Sequence, residues 1–241
     1  MFELRFFEIY RSEEYLALLL DGVLISAGLT LTSGFLGFIV AFILASFRYW
    51  KIFGVEPVGE INPEECFSRA APLTVEVGFG MGDSLLAMAK AEAGRNFLGL
   101  EVHSPGIGNL LRGISISEIK NLRLMKIDAL AVLEKHLPKK SVNRLQIFFP
   151  DPWPKKKHKK RRLINNGFLD LVARVLEQYG LIHIATDWED YAYQIKDTFF
   201  KDPRFSLVEP PRRAETKYEK RGINNGHQIF DIAYRFYDLV E

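Results

Sequence analysis

From Gly22 to Phe47 the chain carries no charged side chain; the stretch reads GVLISAGLTLTSGFLGFIVAFILASF. About 20 apolar residues suffice to span a bilayer, and a helix in a soluble core shows a polar stripe that this run lacks. The pattern predicts one membrane-crossing helix over about residues 22–47, too long for the apolar part of a cleaved signal peptide. Arg48 and Lys51 follow at once, with Tyr49 and Trp50 between them. The preceding side carries Glu3, Glu8, Glu13, Glu14 and Asp21 against Arg5 and Arg11. This asymmetry places the N-terminus outside and everything after Lys51 in the cytoplasm.

Residues 52–71 read as a linker, with Gly54, Pro57, Gly59 and Pro63 and few periodic apolar positions. Beyond it, β-rich runs alternate with helical periodicity. Strands are expected at Leu73–Val77, Asn96–Leu100, Leu122–Ile127, Leu145–Phe149 and Leu181–Ala185. Helices are expected from Asp83 to about Ala91, then over a stretch interrupted at Gly113, then at Ala129–His136, Asn166–Leu176 and Trp188–Phe199. Two last strands fall near Phe205–Val208 and Ile229–Phe236. Alternation of this kind implies an α/β fold with a doubly wound, mostly parallel sheet. Ligands of such sheets bind beyond the carboxyl ends of the strands. Those ends carry Gly78, Glu101, Asp128, Asp151 and Asp187, a series that packing does not explain.

Composition changes the picture little. Of 241 residues 48% are hydrophobic and 26% charged, with a formal net charge of +2, so bulk charge names no partner. Cys66 is the only cysteine, which excludes an internal disulfide and a cysteine-based metal site. His103, His158 and His183 show no converging ligands, so no metal is expected. Local charge is informative: Lys155 to Arg162 holds seven Lys/Arg and one His in eight residues.

Glu76-Val77-Gly78-Phe79-Gly80-Met81-Gly82 joins a strand to a helix. Glycines there let the backbone turn sharply and approach a ligand. Glu76 and Asp83 flank the loop, which disfavours a pyrophosphate and favours a ligand with positive charge, such as S-adenosylmethionine. Glu101 stands where a carboxylate accepts bonds from both ribose hydroxyls. Asp128 is placed either to meet the adenine end of such a ligand or to cap a helix. Asp151 follows Phe149-Pro150 at the mouth of the sheet, Trp153 offers a face for a base, and the cationic run beside them suits phosphates. A second polar cluster, Arg212 to Gly222, lies between the last two strands; its mix of donors, acceptors and an aromatic suits reading a base edge or the sugar-phosphate backbone, and on its own it reads as a charged hairpin loop.

Taken together these residues resemble the tRNA (guanine-N7-)-methyltransferases. The matching stretches are Val75–Gly82, Gly99–Gly106, Phe148–Arg162, Ala185-Thr186-Asp187-Trp188 and Thr216-Lys217-Tyr218-Glu219, spread over roughly Pro72 to Tyr237. The resemblance implies a seven-stranded Rossmann-like class I methyltransferase sheet over residues 72–241, its last two strands an antiparallel hairpin. It implies S-adenosylmethionine contacts at Glu76, Gly78, Gly80, Gly82, Glu101, Asp128 and Asp151, with Asp151 the active-site residue. Lys155, Asp187, Thr216, Lys217, Tyr218 and Glu219 would contact substrate, and Lys157, His158, Lys159, Lys160, Arg161 and Arg162 would grip RNA. The product would be 7-methylguanosine in the variable loop of tRNA.

Leu18 to Ala45 also resembles the first membrane segment of polar amino-acid ABC transporter permeases, through Leu19-Leu20-Asp21-Gly22 and Gly28-Leu29-Thr30-Leu31-Thr32. One helix cannot make a permease, so this implies a gene fusion or two joined reading frames, with residues 1–51 a membrane segment tethering a cytoplasmic domain to the inner membrane. Two other functions stay open: an exocyclic-amine methyltransferase, which Asp151-Pro152-Trp153 fits less well for lack of a second proline and a tyrosine, and a transport subunit or scaffold with a silent methyltransferase fold.

Overall fold

The computed structural model describes residues 13–55 and 59–239. The chain divides into two units between Arg48 and Tyr49. The first is built on α1 (Glu13–Phe53), whose 22-residue segment Leu20–Ala41 is long and apolar enough to cross a membrane and has no buried residue. Thr30 and Thr32 donate their hydroxyls to the carbonyls of Ser26 and Gly28, one turn back along the helix. Glu3, Arg5, Glu8 and Arg11, on which the expected orientation rests, lie outside the described residues, as does Pro57.

The second unit is a seven-stranded sheet in the order β3-β2-β1-β4-β5-β7-β6. Its strands are β1 (Leu73–Val77), β2 (Asn96–Leu100), β3 (Leu122–Met125), β4 (Val142–Phe148), β5 (Leu176–Thr186), β6 (Phe205–Val208) and β7 (Phe230–Phe236). The first five run parallel; β7 is antiparallel to both β5 and β6, so the sheet is mixed. The expected β6–β7 pairing is present, but a helix stands in the connection. All five residues of β1 and of β2 are buried, as in parallel strands covered on both faces. Strand residues alternate between two apolar clusters: Val75, Leu98, Leu145 and Ile147 go to one, Phe97, Leu122, Leu124 and Phe148 to the other.

The helices are α2 (Pro63–Phe67), α3 (Asp83–Ala91), α4 (Ser104–Ser117), α5 (Ala129–Ala131, continued by a π-helical turn through Val132–His136), α6 (Asn166–Val175), α7 (Glu189–Phe200) and α8 (Lys217–Asn224). Three differences from the sequence pattern have physical causes. First, α4 runs unbroken through Gly113, where a Cβ would stand 2.6 Å from Leu86 Cδ2, so this glycine lets α4 pack closely on α3. Second, residues 52–71 are more than a linker. Asn62 caps α2 through the Glu64 amide, Ile61 and Phe67 enter the core, and Val55 donates to the Leu124 carbonyl at 2.7 Å, covering the β3 edge. Third, α8 occupies part of the charged stretch read as a loop. Thr216 and Glu219 form a reciprocal capping box at its start, a signature present in Thr-Lys-Tyr-Glu.

Candidate active site

The carboxyl ends of β1, β2 and β4 open onto two adjoining cavities of about 750 and about 340 Å³, a size suited to a nucleoside-sized ligand. Gly78, Phe148 and Tyr218 line both. The loop between β1 and α3 takes positive φ at Gly78, Gly80 and Gly82, at 70°, 58° and 80°. Gly106 in α4 allows the loop to come near, since a Cβ there would lie 1.9 Å from the Gly80 carbonyl oxygen.

Glu76, at the floor of the smaller cavity, is 2% exposed. It accepts a hydrogen bond of 2.6 Å from Gln146 Nε2, yet burial pushes its carboxyl up to about 7. The nearby Arg213 and Arg144 act in the opposite direction without cancelling the effect of burial. Gln146 was not singled out from sequence; the signal was a lone amide within the apolar run Leu145–Phe149.

Glu101 lines the larger cavity but is heavily engaged: Oε2 accepts from the Gly80 amide at 2.8 Å, Oε1 from Val102 and His103 at 2.8 and 3.0 Å. Of roughly four acceptor positions on a carboxylate, three are used. Asp128 does what a helix cap does, with Oδ1 accepting from the Leu130 and Ala131 amides, and it lines neither cavity.

Asp151, Trp153 and Arg161 line the larger cavity together. The turn that delivers them is strained, with φ of 54° at Phe149 and 41° at Trp153. Such conformations cost about 1–3 kcal/mol each and cluster where geometry serves a ligand. The Arg161 guanidinium stacks over the Trp153 ring at 4.9 Å, and His158 meets that ring edge-on at 5.9 Å.

The basic run forms a 3₁₀ helix over Lys156–Arg161. Lys155, Lys156, Lys157, Lys160 and Arg161 are exposed. Arg162 departs from expectation and is corrected here: its side chain is 1% exposed, so it cannot face RNA. It holds the ribbon down instead, reaching the Pro152 carbonyl at 2.8 Å, Gln194 at 2.6 Å and Asp190 at 2.6 Å, over the Tyr191 ring. Lys159 joins it on Asp190 at 2.7 Å, and these two cations hold that carboxyl below its usual range.

From α8, Thr216, Lys217 and Tyr218 line the smaller cavity, with Arg221 a turn further on. Glu219 is spent on the cap and on Arg213. Asp187 stands apart in a third recess with Trp188 and Phe230, accepting from or sharing a proton with His227 Nδ1 at 2.9 Å. Among the described residues no cluster could hold a metal ion.

Comparison with known proteins gives three findings. A family model described as "Putative methyltransferase" matches residues 70–232. A "tRNA (guanine-N(7)-)-methyltransferase" of Halorhodospira halophila is 45% identical over 196 residues, 77% of this chain and 85% of the relative; that of Methylococcus capsulatus is 43% identical over 195 residues, 77% and 84%. Among solved structures, the 16S rRNA methyltransferase KamB matches with TM-score 0.55 at 13% identity over 73% of this chain and 92% of its own. A 30S ribosomal A1408 methyltransferase from an uncultured bacterium matches with 0.51 at 16% over 73% and 95%. These structures speak for the fold alone.

Proposed function

This chain belongs to the tRNA (guanine-N(7)-)-methyltransferases, and from that premise we propose that its cleft methylates N7 of a guanine in tRNA with S-adenosylmethionine as donor. The observation that carries the reading is the pair of joined cavities with Glu76, Glu101 and Asp151 on their walls and Trp153 and Arg161 at the side of the basic ribbon.

The residues present fit the donor. Glu76, buried and short of positive charge, suits the ammonium end; the positive-φ glycine loop lets the ligand lie against main chain. Glu101 has one acceptor position left, enough for one ribose hydroxyl rather than two. Asp128 is spent as a helix cap and lines neither cavity, so the adenine contact is not assigned to it. When bound, the donor supplies an electrophilic methyl carbon.

Guanine N7 carries an exposed lone pair, so the chain needs no group to remove a proton first. Its work is alignment and electrostatics. Asp151 faces the place where the purine gains positive charge and stabilises it. Trp153 stacks on a base while Arg161 braces its other face, and Lys155, Lys156, Lys157 and Lys160 bind phosphates. The Thr216–Tyr218 segment contacts substrate from the wall of the smaller cavity, whereas Asp187, in its separate recess, is left out of the substrate contacts.

The test is methyl transfer from labelled S-adenosylmethionine to bulk tRNA by the full chain, with nucleoside analysis. 7-Methylguanosine is expected; N6-methyladenosine without it would overturn the reading. Asp151→Ala should lower turnover by a factor of 10² or more, the scale of one lost transition-state electrostatic contact, with tRNA binding nearly unchanged. Equal loss of both would remove Asp151 from the chemistry. The catalytic unit then works in the cytoplasm, where its substrate is, and α1 tethers it to the inner membrane.

A further inference from the structure

We propose that Arg213 is the positioning residue that holds α8, with its Thr216–Tyr218 segment, over the donor cavity. This rests on the reading of the cleft given above and adds to it. The side chain is 5% exposed and reaches three separate elements. Nη1 lies 2.5 Å from Glu219 Oε2 and Nη2 2.8 Å from Asp231 Oδ2. The guanidinium carbon lies 4.9 Å from the Phe148 ring centroid and 5.9 Å from that of Phe149.

Each partner has a second role. Glu219 closes the α8 cap with Thr216. Asp231 on β7 also binds His183 on β5. Phe148 lines both cavities, and Phe149 stacks on Tyr218 at 6.5 Å. One cation therefore sets the start of α8 against the end of β4 and the antiparallel edge of the sheet.

Stability does not account for it. Nε and Nη2 are buried without an aligned hydrogen-bond partner among the described residues, so the Asp231 contact is charge held close but off line. Unmade bonds of a buried donor are costly, and an apolar side chain of similar volume often serves a core as well or better. What an apolar side chain cannot do is fix direction. A planar fork spans two carboxylates on different elements while its flat face lies on an aromatic pair. Burial works against the charge, but the hydrogen bond to Glu219 and the nearby Asp231 carboxylate outweigh it and raise the guanidinium above its usual range.

The test compares the full-length chain with Arg213→Met, Arg213→Lys, Glu219→Gln and the Met/Gln double variant, by titration calorimetry with S-adenosylmethionine and by melting temperature without it. Arg213→Met should weaken donor binding about tenfold or more while kcat at saturation falls far less, the split expected when a binding wall is misplaced. Arg213→Lys, which keeps the charge but not the fork, should recover only part. Glu219→Gln should weaken binding in the same direction, and the double variant should bind no worse than Arg213→Met, because both changes release one linkage. Unchanged affinity in Arg213→Met, whatever its melting temperature, or losses that multiply in the double variant, would overturn the proposal. Should Arg213→Met not fold, unchanged affinity in Glu219→Gln overturns it. A wild-type chain that binds the donor but makes no 7-methylguanosine removes the substrate assignment and leaves this test standing; one that does not bind the donor overturns both.

Discussion

The Glu76 carboxyl is 2% exposed and is pushed up from 4.5 to about 7 by burial, with one hydrogen bond from Gln146 opposing. A carboxyl raised on folding contributes stability that is present below its unfolded value and lost as pH rises through the folded one. The window here is pH 4.5 to about 7. Across it the donor-free protein should lose about 3 kcal/mol at most on this account. Donor binding should change the other way, tightening as pH rises through about 7, because the cation needs the ionised form. Glu76→Gln separates the two effects. Denaturant melts at pH 8 should show a more stable donor-free protein, and calorimetry a much weaker affinity for S-adenosylmethionine. A variant that is no more stable and binds as before would show that Glu76 is not ionised against the ligand. Glu101 and Asp151 were legible as strand-end carboxylates, and Glu76 as an acid flanking the glycine loop. The Gly80 amide that occupies Glu101 Oε2 was not, because it comes from a loop 21 residues away that packs on α4 at Gly106.

At the scale of elements, the run Lys155–Arg162 divides by burial into a gripping part and an anchoring part. Lys157 and Lys160 face solvent, whereas Lys159 and Arg162 are tied to Asp190 at the start of α7. Replacing Lys157 and Lys160 with alanine should reduce the slope of log affinity for tRNA against log salt by roughly 1–2, about 0.7–0.9 per lost phosphate contact. Donor binding should stay unchanged. Equal slopes for variant and wild type would take the ribbon out of the RNA interface. Charge density pointed to this run, but a string of cations does not reveal which member turns inward. That depends on Tyr191 and Gln194, which α7 presents from 30 residues further along the chain. In α8 the opposite holds: Thr216 and Glu219 already carried the capping pattern three residues apart, and it was overlooked among the surrounding charges.

For the molecule as a whole, alkaline carbonate extraction of membranes should leave the full chain in the pellet if α1 is integral, and should release it if Leu20–Ala41 lies elsewhere. The order of strands, the apolar run and the loop of three glycines follow from local pattern, since hydrophobic period and turn chemistry act within a few residues. Amino-acid order therefore determined an α/β sheet, one helix suited to a bilayer, a strand-end row of acids and a basic ribbon beside it. Tertiary structure alone decided which of those acids share a cavity and that Arg162 points into the protein. It also brought Arg213 and Asp231 to 2.8 Å across 18 positions of sequence. The reason is physical: burial and hydrogen-bond partners are set by elements distant in sequence, α7 for Arg162 and β7 for Arg213, and no local period encodes those meetings.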